Sequence, residues 1–262
     1  MHPLVNIAVT AARAAGNFIM RHYDRADQLA VERKARNDFV TQVDRGAEAE
    51  IIRTIRKAYP QHAILAEESG ELPGSEVTWI IDPLDGTTNF LHRIPHFAVS
   101  IGVQVKGRLE HGVIYAPCTQ DLYTASRGDG ALLNNRKLRV SACKELDSAL
   151  IGTGVPLREE YLERYLPALR NIAATTAGVR RAGAASLDLA YVAAGRLEGF
   201  WEFNLKPWDM AAGIVLVQEA GGTVREIDNT GDVLRTGHIL ASTSKLIDEL
   251  HPLVSVGRPR AD

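Results

Sequence analysis

The chain has 262 residues, 45% hydrophobic and 24% charged, which suffices for one large domain or two packed subdomains and argues against disorder. Thirty Lys and Arg stand against 32 Asp and Glu, a formal net charge of −2. That excludes bulk attraction to nucleic acid and leaves any such contact to a local patch or a protein partner. The two cysteines, Cys118 and Cys143, form neither a disulfide framework nor a zinc spacing and read as reduced thiols of a cytoplasmic protein.

Pro3 fits the first position of a helix over residues 3–23, with Leu4, Ala8, Ala11, Ala15, Phe18 and Ile19 on one face. Met1-His2-Pro3 lacks the basic head of a signal peptide, and no apolar run approaches the ~18 residues of a membrane span. Val31 to Val40 is polar and interrupted, suiting a short hairpin or a mobile loop. A second helix runs from Asp44 to about Ala58, with Val43, Ala47, Ile51, Ile55 and Ala58 on a stripe, and ends at Tyr59-Pro60. Strands are expected at Ala63–Ala66, Val77–Ile81, Phe97–Val105, Val113–Tyr115 and Leu122–Ala125, giving two helices on a largely antiparallel sheet. From about Leu146 strand and helix alternate. Strands at 149–152, 197–203, 223–227 and 239–241 lie among helices at 158–174, 186–194, 210–220 and 245–254. The sequence thus divides into an N-terminal α+β part over 1–145 and an α/β part over 146–262.

The chemistry is concentrated in Trp79-Ile80-Ile81-Asp82-Pro83-Leu84-Asp85-Gly86-Thr87-Thr88-Asn89-Phe90. Pro83 biases Asp82 toward extended backbone, so Asp82 is expected to end the strand. Two carboxylates on a fixed turn suit a hard divalent cation, which prefers oxygen ligands. A helix starting near Thr87 or Thr88 would leave N–H groups free for an anion. Taken alone, the segment also fits an ordinary capped turn, since Asp, Pro and Gly are common turn formers. Glu67 at a strand end, and Asp44 and Asp209 at helix starts, each have a similarly plain explanation as solvated or capping acids.

Taken together, these segments resemble the inositol monophosphatase family. The resemblance rests on Glu67-Glu68-Ser69, on the run from Trp79 to Phe90, and on Pro207-Trp208-Asp209 with Glu219-Ala220-Gly221-Gly222, in order from about Val5 to Val254. Asn37 to Thr41, Pro95 to Ser100 and Leu187 to Gly195 are similar to the bacterial SuhB-type branch of that family. The resemblance implies a layered αβαβα sandwich of the inositol monophosphatase/fructose bisphosphatase type, with two packed subdomains. It also implies Mg²⁺-dependent, lithium-sensitive hydrolysis of inositol 1-phosphate and similar esters by direct in-line attack of water. Alternatives within the family are histidinol phosphate, fructose 1,6-bisphosphate or a 3′-phosphonucleotide.

Carried over by position, the resemblance gives one cation to Glu67, Asp82 and the Leu84 carbonyl, and a second to Asp82, Asp85 and Asp209, with a weak third allowed. Thr87 would hydrogen-bond the attacking water and Asp44 would orient Thr87. The N–H groups of Gly86 and Thr87 would hold phosphate. Glu68 would steady its neighbours, and Lys34 and Asp38 lie on a segment that closes the site. Substrate contacts would come from Asp85, Gly183, Ala184, Ala185, Glu202 and Asp209. Ala184 stands where relatives often carry a hydroxyl, and Asn204 replaces a common glycine. Arg180 would lie near the substrate or a subunit interface. A homodimer and a protein partner in the transcription machinery are further implications, without membrane or direct nucleic-acid contact.

Overall fold

The structure, a computed structural model, describes residues 2–24, 31–35, 38–156 and 158–256. Pro3 opens helix α1 (Pro3–Tyr23), and α2 spans Gln42–Ala58. Between them β1 (Val31–Ala35) and β2 (Asp38–Thr41) pair as an antiparallel hairpin, the first of the two expectations for that segment. Val43, Ala47, Ile51 and Ile55 of α2 are buried as the stripe requires, but Ala58 is exposed because the helix ends there, beyond the sheet.

Among the described residues, eight strands form the first sheet. They are β3 (Ala63–Ala66), β4 (Gly70–Leu72), β5 (Val77–Asp85), β6 (Ala98–Val105), β7 (Arg108–Ala116), β8 (Asp121–Ser126), β9 (Gly130–Leu133) and β10 (Arg136–Lys137). Their order is β10-β9-β8-β7-β6-β5-β3-β4, antiparallel except for the β3–β5 pair. Asp82 does not end its strand. Asp82 pairs with Ser100 and Asp85 with Ala98, so β5 carries one residue more than β6 across that step. Pro83 has no N–H to give the ladder, and the extra residue is accommodated as a bulge that turns the chain at the acids.

The second sheet contains β11 (Leu150–Thr153), β12 (Gly178–Arg180), β13 (Gly199–Glu202), β14 (Gly222–Glu226) and β15 (Ile239–Thr243), in the order β12-β11-β13-β15-β14. Strand β11 runs parallel to β12 and β13, and β15 antiparallel to β13 and β14. The helices are short α3 (Thr87–Leu91), α4 (Glu159–Thr175), α5 (Ala185–Ala193), α6 (Pro207–Glu219), short α7 (Val233–Thr236) and α8 (Ile247–Val254).

Strand periodicity distributes the core. In β5, Trp79 and Ile81 face α1 and α2, while Ile80 faces α5 and α6. In β13, Phe200 faces α5 and α6, while Trp201 packs with Tyr165 of α4 and Leu250 of α8. The layers are therefore α1/α2, first sheet, α5/α6, second sheet, α4/α8, the expected αβαβα sandwich. Helix α6 is buried from Met210 through Val217, as a helix between two sheets must be. It approaches the first sheet closely: a Cβ on Gly112 would stand 2.4 Å from the Ala212 carbonyl oxygen. Pro207 at the first position starts α6 three residues before the expected Met210 and brings Asp209 into its first turn.

A carboxylate-lined cleft between the sheets

The bulge in β5 sets up the site. The Leu84 N–H donates to Asp82 Oδ1 at 2.9 Å, closing a tight turn around Pro83, and Asp82 is only 2% exposed. Gly86 follows in the left-handed region, φ 95°, and a Cβ there would lie 3.0 Å from the His96 carbonyl oxygen. Helix α3 starts at the next residue. The Thr87 hydroxyl donates to Asp44 Oδ1 at 2.9 Å and shares its proton with the Leu84 carbonyl at 3.1 Å. Asp44 lies in the first turn of α2 and is 1% exposed. One turn further along α2, Glu48 accepts the N–H groups of Glu68 at 2.8 Å and Ser69 at 2.9 Å. The same helix thus orients Thr87 and fixes the turn that carries Glu67, whose N–H donates to Ile81 at 3.2 Å.

The second sheet's helices complete the arrangement. Asp85 Oδ2 accepts the Ser186 N–H at 2.7 Å and also the Ser186 hydroxyl. Ala184, at the start of α5, has no side-chain acceptor. Asp85, 101 residues earlier than Ser186, supplies that function from the first sheet. Asn89 donates to the Ala182 carbonyl at 2.9 Å and the His96 carbonyl at 2.7 Å, tying α3 to the approach of α5. Asp209 accepts the Lys206 N–H at 2.7 Å, so it caps α6 from the third helical position and not from the N-cap itself.

These acids are held against their electrostatic preference. Burial pushes Asp82 well above the usual carboxylate range, and the facing charges of Glu67, Asp85 and Asp209 push it further, against the Leu84 N–H. Burial raises Asp85 to about 6, opposed by the Ser186 and Ala185 donors. Burial and then Asp85 raise Asp209 to about 8. Glu202 is raised to about 8 by burial, then by Asp188 and Asp85, against the pull of Arg181. Asp85, Glu202 and Asp209 keep some accessible surface, all three on the cleft they line.

Among the described residues no three such side chains are drawn into a closed ligand cage. The donor set nonetheless fits a hard divalent cation. Its acids are mutually repelling, and an external cation would relieve both their burial cost and their repulsion. Magnesium takes few protein ligands and keeps its waters, so a preformed cage is not required.

Asp85, Gly154, Arg181, Asp188, Glu202 and Asp209 line a cleft of about 160 Å³, with the Gly183–Ala185 segment along one wall. A Cβ on Gly154 would stand 2.0 Å from Glu202 Oε1, so only glycine admits that carboxyl. Arg180 lies elsewhere. It is exposed on edge strand β12, with its guanidinium on the Val179 carbonyl, and the neighbouring Arg181 reaches the cleft. The side chains of Lys34 and Asp38 lie outside the described residues.

The model of the inositol monophosphatase family matches residues 1–255. The chain belongs to the inositol monophosphatase family. It is 54% identical over 257 residues to a Pseudomonas aeruginosa protein named Nus factor SuhB, covering 95% of each chain. The crystal structure of SuhB from Bartonella henselae superposes with a TM-score of 0.95 at 46% identity, covering 98% of this chain and 100% of that one. An inositol monophosphatase from Anabaena gives a TM-score of 0.84 at 38% identity, over 98% and 97%.

Within this family member, sequence reasoning passed over Glu48, Arg181, Ser186 and Asp188. Glu48 had a readable signal, because an acid four residues after Asp44 borders the apolar stripe of α2. Asp188 had one too, as an acid between Leu187 and Leu189 in an apolar helix. The hydrogen bond from Ser186 to Asp85 depends on packing between segments 101 residues apart and left no local trace.

Proposed function

We propose that the chain is a Mg²⁺-dependent phosphomonoesterase acting on inositol 1-phosphate and related small polyol phosphates. The observation that carries the reading is the Asp44–Thr87 pair at 2.9 Å beside the buried, mutually repelling acids of the β5 turn. Glu67, Asp82, the Leu84 carbonyl, Asp85 and Asp209 would hold the divalent cations. Bound there, the cations supply acidification of water and neutralisation of phosphate and departing alkoxide.

The protein's own part is proton placement and alignment. The Thr87 proton is committed to Asp44 and Leu84, so the hydroxyl's free lone pairs are left to accept a hydrogen bond from water. Water held in that way presents its own lone pair to phosphorus on the side away from the leaving oxygen. The N–H groups of Gly86 and Thr87, at the start of α3, precede the first intrahelical bond (Phe90 N–H to Gly86) and are available to phosphate oxygens. Asp85 and Glu202 face the cleft as acceptors for polyol hydroxyls, and no side chain here makes a covalent phosphoenzyme necessary.

The test is a panel of phosphate esters assayed with Mg²⁺, with and without Li⁺. Hydrolysis of inositol 1-phosphate that depends on Mg²⁺ and is suppressed by Li⁺ is expected. Failure to hydrolyse any polyol monophosphate would remove the reading, and retention of configuration at a chiral phosphorus would remove the in-line route.

A second role is favoured by one specific observation, the Nus factor names of two relatives at 54% and 51% identity. We propose that the chain also contacts a protein of the transcription machinery, since its net charge of −2 favours a protein over RNA as the direct partner. An Asp85→Asn variant separates the roles. It is expected to lose phosphatase activity, and its rescue of all deletion phenotypes would place the cellular role outside catalysis.

A further inference from the structure

Helix α5 carries an acid that neither the capping of the helix nor the proposed chemistry uses. Asp188 is 2% exposed, and its Oδ1 is buried without a hydrogen-bond partner among the described residues. Its immediate neighbours in sequence, Leu187 and Leu189, are apolar and buried. Helix capping does not explain it. Asp85 already receives the Ser186 N–H, and the Asp188 N–H is used within the helix on the Ala184 carbonyl. A buried acceptor with nothing to accept from is rare in a folded protein, and an apolar residue of similar size would pack there without penalty.

Its position gives it a purpose. Asp188 lines the same cleft as Glu202, with Arg181 as the nearby cation. Gly152 in β11 and Gly154 just past its end leave no side chain opposite either acid. A Cβ on Gly152 would lie 3.5 Å from Asp188 Cγ, and one on Gly154 would overlap the Glu202 carboxyl. Positions two apart along extended chain face the same side about 7 Å from one another. The two glycines thus open neighbouring places for the two carboxyls, and two acceptors side by side in one cleft, each reaching ~2.8 Å to a hydroxyl oxygen, suit the O–H groups of two adjacent ring carbons.

We propose that Asp188 is a specificity-determining residue, its carboxyl and that of Glu202 together accepting from two neighbouring hydroxyls, so that the cleft selects phosphate esters carrying a vicinal diol beyond the phosphorylated carbon. The assignment rests on the phosphomonoesterase reading given above. It is tested with wild type, Asp188→Asn and Asp188→Leu, assayed with Mg²⁺ on inositol 1-phosphate and on 4-nitrophenyl phosphate, which has no aliphatic hydroxyl.

For Asp188→Leu, kcat/KM on inositol 1-phosphate is expected to fall about 10- to 100-fold, mainly through KM, as for loss of a charge-assisted hydrogen bond. On the aryl ester the change is expected to stay within about threefold. Asp188→Asn, which keeps the shape and one acceptor, is expected to fall between, and neither variant should lower Tm. Equal losses on both esters, or no loss on inositol 1-phosphate, would overturn the assignment while leaving the phosphatase reading intact. Wild type active on the aryl ester and inert on inositol 1-phosphate would overturn both the polyol reading and the role of Asp188.

Discussion

Two groups of buried acids in this molecule are treated in opposite ways. Behind the second sheet, Asp228 meets Arg164 in a two-pronged ion pair, at 2.7 and 3.2 Å, with side chains 15% and 8% exposed. The guanidinium also lies 4.6 Å from the centre of the Phe203 ring. In the cleft, among the described residues, Asp82, Asp85 and Asp209 receive neutral donors: the Leu84, Ala185, Ser186 and Lys206 backbone N–H groups and one serine hydroxyl. At Asp228, which serves the fold, the chain brings its own cation. Where an acid serves the site, the chain supplies enough hydrogen bonds to aim it and leaves the charge for something external to neutralise.

The sharpest way to break this contrast is to replace Asp82 by Asn. Asp82 is the acid most crowded by other acids, facing Glu67, Asp85 and Asp209. Phosphatase activity with Mg²⁺ is expected to fall about 10³-fold or more, while Tm in metal-free buffer should hold or rise because like-charge crowding is relieved. A drop in metal-free Tm would show that Asp82 is structural. Asp228→Ala should do the reverse. It strands Arg164 in the core, with a cost of about 3–5 kcal/mol read from denaturant unfolding, and leaves kcat/KM per folded molecule unchanged.

The contrast also predicts a slope with pH. Asp85 is raised to about 6, and Asp209 and Glu202 to about 8. A carboxyl whose folded pKa exceeds its unfolded value binds more protons when folded, so its contribution to stability is full below about pH 4 and is lost as pH rises through the folded pKa. Between pH 7.5 and 8.5, above the ordinary histidine range, metal-free protein should therefore lose about 1–2 kcal/mol. Saturating Mg²⁺ should flatten that slope. A metal-free stability that is level or rises across this interval would contradict the arrangement of site acids described above.

What could be read from the sequence follows the range of the interactions. Helix α1 was legible to the residue because Pro3 and an alanine-rich face are local signals. The β5 turn was legible as a candidate cation site only through its resemblance, since the acids have plain capping explanations one by one. Even its local form was misjudged: proline bias predicted a stop at Asp82, whereas pairing of Asp85 with Ala98 carries the strand on past a bulge. Edge strand β12 spans three residues, Gly178–Arg180, held by parallel pairing to β11, and has no pattern of its own. Arg181, Ser186 and Asp188 follow that strand and acquire their roles only when α5 docks on the end of β5.

That docking supplies the smallest effect and the finest test. Ser186 donates twice to one oxygen of Asp85, through its N–H and its hydroxyl. Ser186→Ala removes one donor, keeps the N–H and leaves no cation stranded. The hydroxyl is worth about 1 kcal/mol net, which in a chain of this size corresponds to a metal-free Tm lower by ~2–4 °C. The Asp85 carboxyl, with one opposing donor gone, should titrate above its value of about 6, visible by carboxyl NMR. The loss should shrink when Mg²⁺ is present, because the cation then takes up the charge that the hydroxyl had helped to hold. A loss as large as that of Asp228→Ala, or one that Mg²⁺ does not reduce, would mean that Asp85 is bound into the fold as Asp228 is, and the division between acids that build the molecule and acids kept for a ligand would not hold at the residue that ties the first sheet to α5.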